Sequence, residues 1–193
     1  KQDGTWQIQT WSQVADRVGQ MVSVLRSLGA EPGDRIIQLA ENCPEWIIAD
    51  LAIQACGAIH VPVHTPLTGS QIAYQISDSG ARIVLISDQE QAEKLAAASS
   101  ELPGRLQVVC YSPCPLRIDD TEILSWDELA VEVGVSEGAD QQHSDPSVRA
   151  DSLATILYTS GTTGPPKGVI LTQQNLVSNA MGTYEAFGRE PDD

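Results

Sequence analysis

One run of residues carries the chemistry that can be read from this chain: Tyr158-Thr159-Ser160-Gly161-Thr162-Thr163-Gly164-Pro165-Pro166-Lys167-Gly168-Val169. It holds four aliphatic hydroxyls, three glycines and one lysine. Apolar residues flank it on both sides, Leu153, Ile156 and Leu157 before it and Val169, Ile170 and Leu171 around its end. Glycines let backbone N–H groups approach an oxyanion, hydroxyls add donors, and an ammonium offsets negative charge. A strand that opens into such a loop and closes on lysine is suited to holding polyphosphate.

The charge distribution separates this reading from that of an ordinary Gly/Thr surface loop. The chain has 26 acidic and 11 basic residues, a net charge of −15. Yet no Asp or Glu occurs from Ser152 to Tyr184, and Lys167 is the only Lys or Arg in that window. At about 4 Å and an effective dielectric near 20, a lysine–phosphate pair gains ~4 kcal/mol per unit charge, most of which a neighbouring carboxylate would cancel. The acidic balance of the whole chain argues against a nucleic-acid partner, which would select a basic face. It also disfavours electrostatic attachment to anionic lipid, leaving other peripheral membrane contact open. No apolar run is long enough to span a membrane or to serve as a signal-peptide core, so the expected compartment is the cytoplasm.

Three phosphate-loop and hydrolase patterns can be tested against the run. A Walker loop counted from Gly161 needs glycine at Pro166 and Ser or Thr at Gly168, and both positions fail. Gly161, Gly164 and Gly168 are too widely spaced for the dinucleotide fingerprint. A nucleophilic serine elbow is absent.

The run resembles instead the phosphate-binding signature of the adenylate-forming, or AMP-binding, enzyme superfamily. That signature is Tyr or Phe, two hydroxyl residues, Gly, two hydroxyl residues, Gly, any residue, then Pro-Lys-Gly-Val. Tyr158 to Val169 agrees with it at each position. The resemblance extends from about Trp6 to Phe187. Thr10-Trp-Ser-Gln-Val14 is similar to the family's opening helix entry, and Leu28 to Ile36 to its first helix-to-strand turn. Glu41-Asn-Cys-Pro-Glu-Trp46, Gly57 to Val63 and Ile72 to Arg82 resemble the long-chain fatty acyl-CoA synthetase branch. Gln173, where many members have His, and His64-Thr65-Pro66, in place of an aromatic-Pro-Thr run, depart from the pattern outside the phosphate loop.

The resemblance implies a two-step reaction. A carboxylate attacks the α-phosphorus of ATP, releasing pyrophosphate, and coenzyme A then takes the acyl group as a thioester. The implied small molecules are ATP with Mg²⁺, a long-chain fatty acid and coenzyme A. Aryl-CoA ligase, fatty acyl-AMP ligase, peptide-synthetase adenylation and a non-catalytic nucleotide-binding module stay open as alternatives. The cofactor-binding candidates are Thr159, Ser160, Gly161, Thr162, Thr163, Gly164, Lys167 and Gly168, with hydroxyl donors at Ser160, Thr162 and Thr163 and backbone donors at Gly161 and Gly164. Pro165-Pro166 stiffens the far end, and Tyr158 reads as strand packing. The family's later motifs do not occur before Asp193. The expectation is therefore an N-terminal segment with no complete catalytic set, no activity alone, and the C-terminal part of the same protein as its partner.

The elements that must position the loop alternate along the chain. Helical spacing follows the Thr10/Gln13 capping box through Val14, Val18, Val22, Leu25 and Leu28 to Gly29. Strands are predicted at 36–40, 58–63, 83–86 and 106–111, and a short one at 6–10. Further helices are expected after Pro44, after a Thr68/Gln71 box, after a Ser87/Glu90 box, after Ser125 with Glu128, and after Thr172. The fold class is α/β, with a largely parallel sheet and right-handed crossovers, the N-terminal part of the acyl-CoA synthetase-like large domain. Residues 1–133 read as a Rossmann-like subdomain, 134–151 as an acidic mobile linker, and 152–193 as the strand–loop–strand–helix that begins the next part. Cys56 and Cys110 lie in apolar segments and read as buried thiols. Cys110 and Cys114 are the only close cysteine pair, and no metal site is expected from the sequence.

Overall fold

Helix α1 (Trp11–Ser27) starts at a reciprocal cap: the Thr10 hydroxyl accepts from the Gln13 N–H, and the Gln13 side chain accepts from the Thr10 N–H at 2.8 Å. The computed structural model describes residues 8–104, 106–119, 121–134, 144–159 and 164–188. After α1 come β1 (Arg35–Leu39), α2 (Pro44–Ala55), β2 (Ile59–Val63), α3 (Gly69–Ser79), β3 (Ile83–Ile86), α4 (Gln89–Ala97) and β4 (Gln107–Cys110). Then follow β5 (Arg117–Ile118), β6 (Thr121–Ser125), α5 (Trp126–Val133), β7 (Leu153–Thr159), β8 (Lys167–Thr172) and α6 (Gln173–Phe187). Pro44 occupies the first turn of α2, where its missing N–H costs nothing. Thr68 and Gln71 form the expected capping box of α3, and Thr172 forms one with Asn175 at α6.

All these strands make one sheet, in the order β5-β6-β4-β3-β1-β2-β7-β8. The pairs from β6 to β7 are parallel, and the outer pairs β5–β6 and β7–β8 are antiparallel. Central strands are buried at nearly every position because helices cover both faces, although Gln38 of β1 and His60 of β2 are polar. Side chains alternate between two cores. Ile36, Leu85 and Val109 face Met21, Leu25, Ile48, Ile53 and Trp126 of α1, α2 and α5. Ile37, Val84 and Val108 face Ile72, Ile76 and Leu95 of α3 and α4. The chain steps one way from β1 to β2 and the other way from β2 to β3, so same-handed crossovers put α2 and α3 on opposite faces.

Several local expectations differ from the structure. Asp88, not Ser87, caps α4: its side chain accepts from the Gln91 N–H at 3.2 Å, while the Ser87 hydroxyl donates to Asp88. Ser125 makes no side-chain cap bond, since it is still the last residue of β6 and pairs with Cys110. The short run Thr121–Ser125 was not expected as a strand. Its apolar content is only Ile123 and Leu124, and pairing alongside β4 makes it one. Residues 8–10 lie in no strand, and the remainder of the stretch expected at 6–10 lies outside the described residues. Of the linker expected at 134–151, Gly134 ends α5, residues 135–143 lie outside the described residues, and in 144–151 the Asp145 N–H donates to the Ala55 carbonyl at 2.7 Å. Cys56 and Cys110 are buried free thiols, and burial pushes Cys110 up to about 11.

Candidate nucleotide-binding site

The Gly/Thr run sits at the turn of the β7–β8 hairpin. β7 is parallel to β2, with His60 opposite Thr155, and the buried Thr155 hydroxyl donates to the His60 carbonyl at 2.8 Å. That direction sends Thr159 out at the same edge as the C-terminal ends of β1 to β4. This carboxyl edge is where open α/β sheets bind ligands. Thr159 and Lys167 are the last cross-strand pair, and residues 160–166 lie between them.

Both of those side chains are exposed, and Lys167 forms no ion pair among the described residues. Gly164 has φ +128°, a backbone conformation that L side chains rarely adopt. Gly168 lies opposite Tyr158, and a Cβ added there would come within 2.7 Å of Ile156 Cγ2. Its missing side chain lets Ile156 and Tyr158 close over the hairpin. Of the eight residues singled out from the sequence, the structure thus places Thr159, Gly164, Lys167 and Gly168 at one hairpin mouth. Ser160, Gly161, Thr162 and Thr163 lie outside the described residues.

Helix α3 supplies contacts the sequence did not reveal. Tyr158 packs against the core under α3 and α4, and its hydroxyl donates to Asp78 Oδ2 at 2.6 Å. Burial first, then the bond to Asp78 and its charge, push the Tyr158 phenol far above its usual range, so it stays a neutral donor. The Tyr74 hydroxyl donates to the Pro166 carbonyl at 3.1 Å. The acid-free window therefore belongs to the sequence alone: in space, Asp78 stands beside the hairpin. The one available signal was the four-residue spacing of Tyr74 and Asp78, which puts both on one helical face without saying what that face meets.

Between β2 and α2 lies a polar cluster. Buried His60 directs Nδ1 at Asp50 Oδ1, 2.8 Å away, and meets the Trp46 ring edge-on at 5.3 Å. Gln54 donates to the same Asp50 oxygen at 2.8 Å. Burial pushes the Asp50 carboxyl up, but the His60 hydrogen bond and charge and the Gln54 bond outweigh it and hold the carboxyl below its ordinary value. His60 and Trp46 are structural in this arrangement. Among the described residues, no group of three or more His, Cys, Asp or Glu side chains is placed to hold a metal ion. None of the described helices is long and apolar enough to cross a membrane.

Comparison with known proteins gives a concordant picture. A family model described as AMP-binding enzyme matches residues 2–193. The chain is 33% identical over 181 residues to a long-chain-fatty-acid–CoA ligase, FadD15, of Mycobacterium bovis, covering 93% of this chain and 29% of that protein. It is also 33% identical over 172 residues to a feruloyl-CoA synthase of an Amycolatopsis species, covering 89% of this chain and 30% of the relative. Apo MatB from Rhodopseudomonas palustris superimposes with a TM-score of 0.74 at 29% identity, over 96% of this chain and 34% of that one. The chain thus spans about three tenths of the length of the curated relatives it matches.

Proposed function

The chain belongs to the AMP-binding enzyme family, and from that premise we propose that it is the phosphate-holding N-terminal part of an ATP-dependent carboxylate–CoA ligase. In the first step a carboxylate oxygen bonds to the α-phosphorus of ATP. The bond to pyrophosphate breaks, leaving an acyl-adenylate. In the second step the coenzyme A sulfur bonds to the acyl carbon, the bond to AMP breaks, and the thiol proton is released. Charge gathers on the departing pyrophosphate, so fixed donors and a cation at that point stabilise the transition state.

In this reading the loop from Thr159 to Gly168 supplies that set. Ser160, Thr162 and Thr163 donate hydroxyls, Gly161 and Gly164 present backbone N–H groups, Lys167 offsets charge, and Thr159 and Gly168 form the two stems. The observation that carries the reading is the position of the exposed Lys167–Thr159 pair at the carboxyl edge of the parallel strands. Mg²⁺ enters with ATP. The described residues offer no ligand cluster for it.

Long-chain fatty acids are the preferred acyl substrates, because residues 41–82 carry the long-chain branch's motifs and FadD15 is among the relatives. An aryl acid is the second reading, favoured by the equal identity to the feruloyl-CoA synthase. Partners in this reading are ATP, the acid, coenzyme A and the rest of the same polypeptide. The test is ATP–pyrophosphate exchange by the whole protein with palmitate, ferulate or benzoate. Exchange that requires palmitate supports the proposal, preference for ferulate or benzoate moves the substrate to aryl acids, and no exchange with any acid overturns the ligase reading.

A further inference from the structure

Tyr74 and Asp78 lie one turn apart on the same face of α3. Each holds a different side of the Gly/Thr hairpin. The Tyr74 hydroxyl donates to the Pro166 carbonyl, next to Lys167, at 3.1 Å. Asp78 accepts from the Tyr158 hydroxyl, next to Thr159, at 2.6 Å. The helix making both contacts is itself fixed: Thr68 and Gln71 cap it, and Ile72 and Ile76 are fully buried.

The sheet holds the hairpin mouth less firmly than its base. β7 is bridged to β2 at His60 and Thr155, four residues before Thr159, and β8 is an edge strand. Beyond that bridge, among the described residues, the two arms pair only with each other, and the α3 bonds meet them there. We propose that Tyr74, Asp78 and Tyr158 are positioning residues, a clamp by which α3 fixes both stems of the loop and so presets the Thr159–Lys167 mouth for ATP phosphates. This rests on the reading of that mouth as the phosphate site. A preset loop loses less conformational freedom when the nucleotide arrives, so the clamp acts on ATP affinity and not on the acid. Tyr158 has a second effect. Its proton occupies the Asp78 carboxylate beside the hairpin, and burial beside Asp78 keeps that proton in place.

The experiment uses the whole protein with Tyr74→Phe, Tyr158→Phe, Asp78→Ala and Asp78→Asn, none of which removes a proposed phosphate donor. Losing one hydrogen bond should raise the ATP KM about fivefold in the first three variants, with the acid KM unchanged. Asp78→Asn keeps an acceptor for Tyr158 and should restore the ATP KM. Combining Asp78→Ala with Tyr158→Phe should be no worse than either alone, because both delete one bond. Hydrogen–deuterium exchange before nucleotide is added should quicken in peptides covering 158–168 and stay unchanged in β1 and β3. An unchanged ATP KM with unchanged exchange at 158–168 overturns the clamp, as does a parallel rise of ATP and acid KM with a lowered unfolding midpoint. Should the wild-type protein lack ATP-dependent turnover, the ligase reading fails by itself, and the exchange measurement still decides the clamp.

Discussion

Lys167 is the only cation in a window of more than thirty residues, and it stands exposed at the hairpin mouth with no carboxylate bound to it among the described residues. A charge-assisted bond to phosphate contributes about 1.5–3 kcal/mol. Lys167→Ala in the whole protein should therefore raise the ATP KM by roughly 10- to 100-fold and leave the acid KM nearly unchanged. An ATP KM within twofold of wild type would remove Lys167 from the phosphate site. Asp50 makes a different kind of prediction. Its folded carboxyl lies below the ordinary value, so its contribution to stability is present above the unfolded pKa and disappears as pH falls through the lower folded one. The stability gap between wild type and Asp50→Asn should shrink below about pH 4. Denaturation midpoints measured between about pH 6 and 3 check this, and a gap that widens toward low pH contradicts the assignment.

At the scale of elements, helix starts separate positions that look alike in sequence. Asp88 accepts a backbone N–H at the start of α4, whereas Ser125 makes no side-chain cap bond at the start of α5. Asp88→Ala should destabilise by about 1 kcal/mol, and Ser125→Ala should stay within about 0.5 kcal/mol. Equal losses in urea unfolding would mean that Ser125 has a role its geometry does not show. The difference arises because Ser125 ends β6, and its backbone pairing with β4 sets its position before the helix begins.

At the scale of the molecule, the two ends of the sheet are unlike. The strands from β4 to β2 are covered on both faces, while the β7–β8–α6 end exposes Leu157, Ile170, Val177, Met181 and Phe187, the last at 87%. No residue of α6 is buried, although Leu176, Ala180 and Thr183 recur with helical spacing. An apolar surface of this kind marks an interface. The proposed ligase reading predicts that the rest of the polypeptide covers it, since this chain spans 29% of the relative FadD15. Residues 1–193 expressed alone should bind an apolar dye such as ANS far more than the whole protein does, and should show no pyrophosphate exchange. Weak dye binding by the isolated segment, or exchange dependent on ATP and an acid, would contradict this division of labour.

The sequence by itself determined what depends on neighbours along the chain. The Thr10 and Thr68 caps, Pro44 at a helix start and the apolar runs that become β1 to β4 need only local sterics, hydrogen bonding and a period of two or 3.6. The family signature is equally local, because a loop that wraps an anion takes its donors from consecutive residues. Tertiary structure decided what depends on residues far apart. Thr121–Ser125 becomes a strand only beside β4, and α6, set against β7 and β8 at the edge of the sheet, has no buried residue. Asp78, 80 residues from Tyr158, enters the neighbourhood of a hairpin whose own sequence is free of acids. No periodicity within one segment reports such a contact, since it depends on where the sheet places β7 relative to α3.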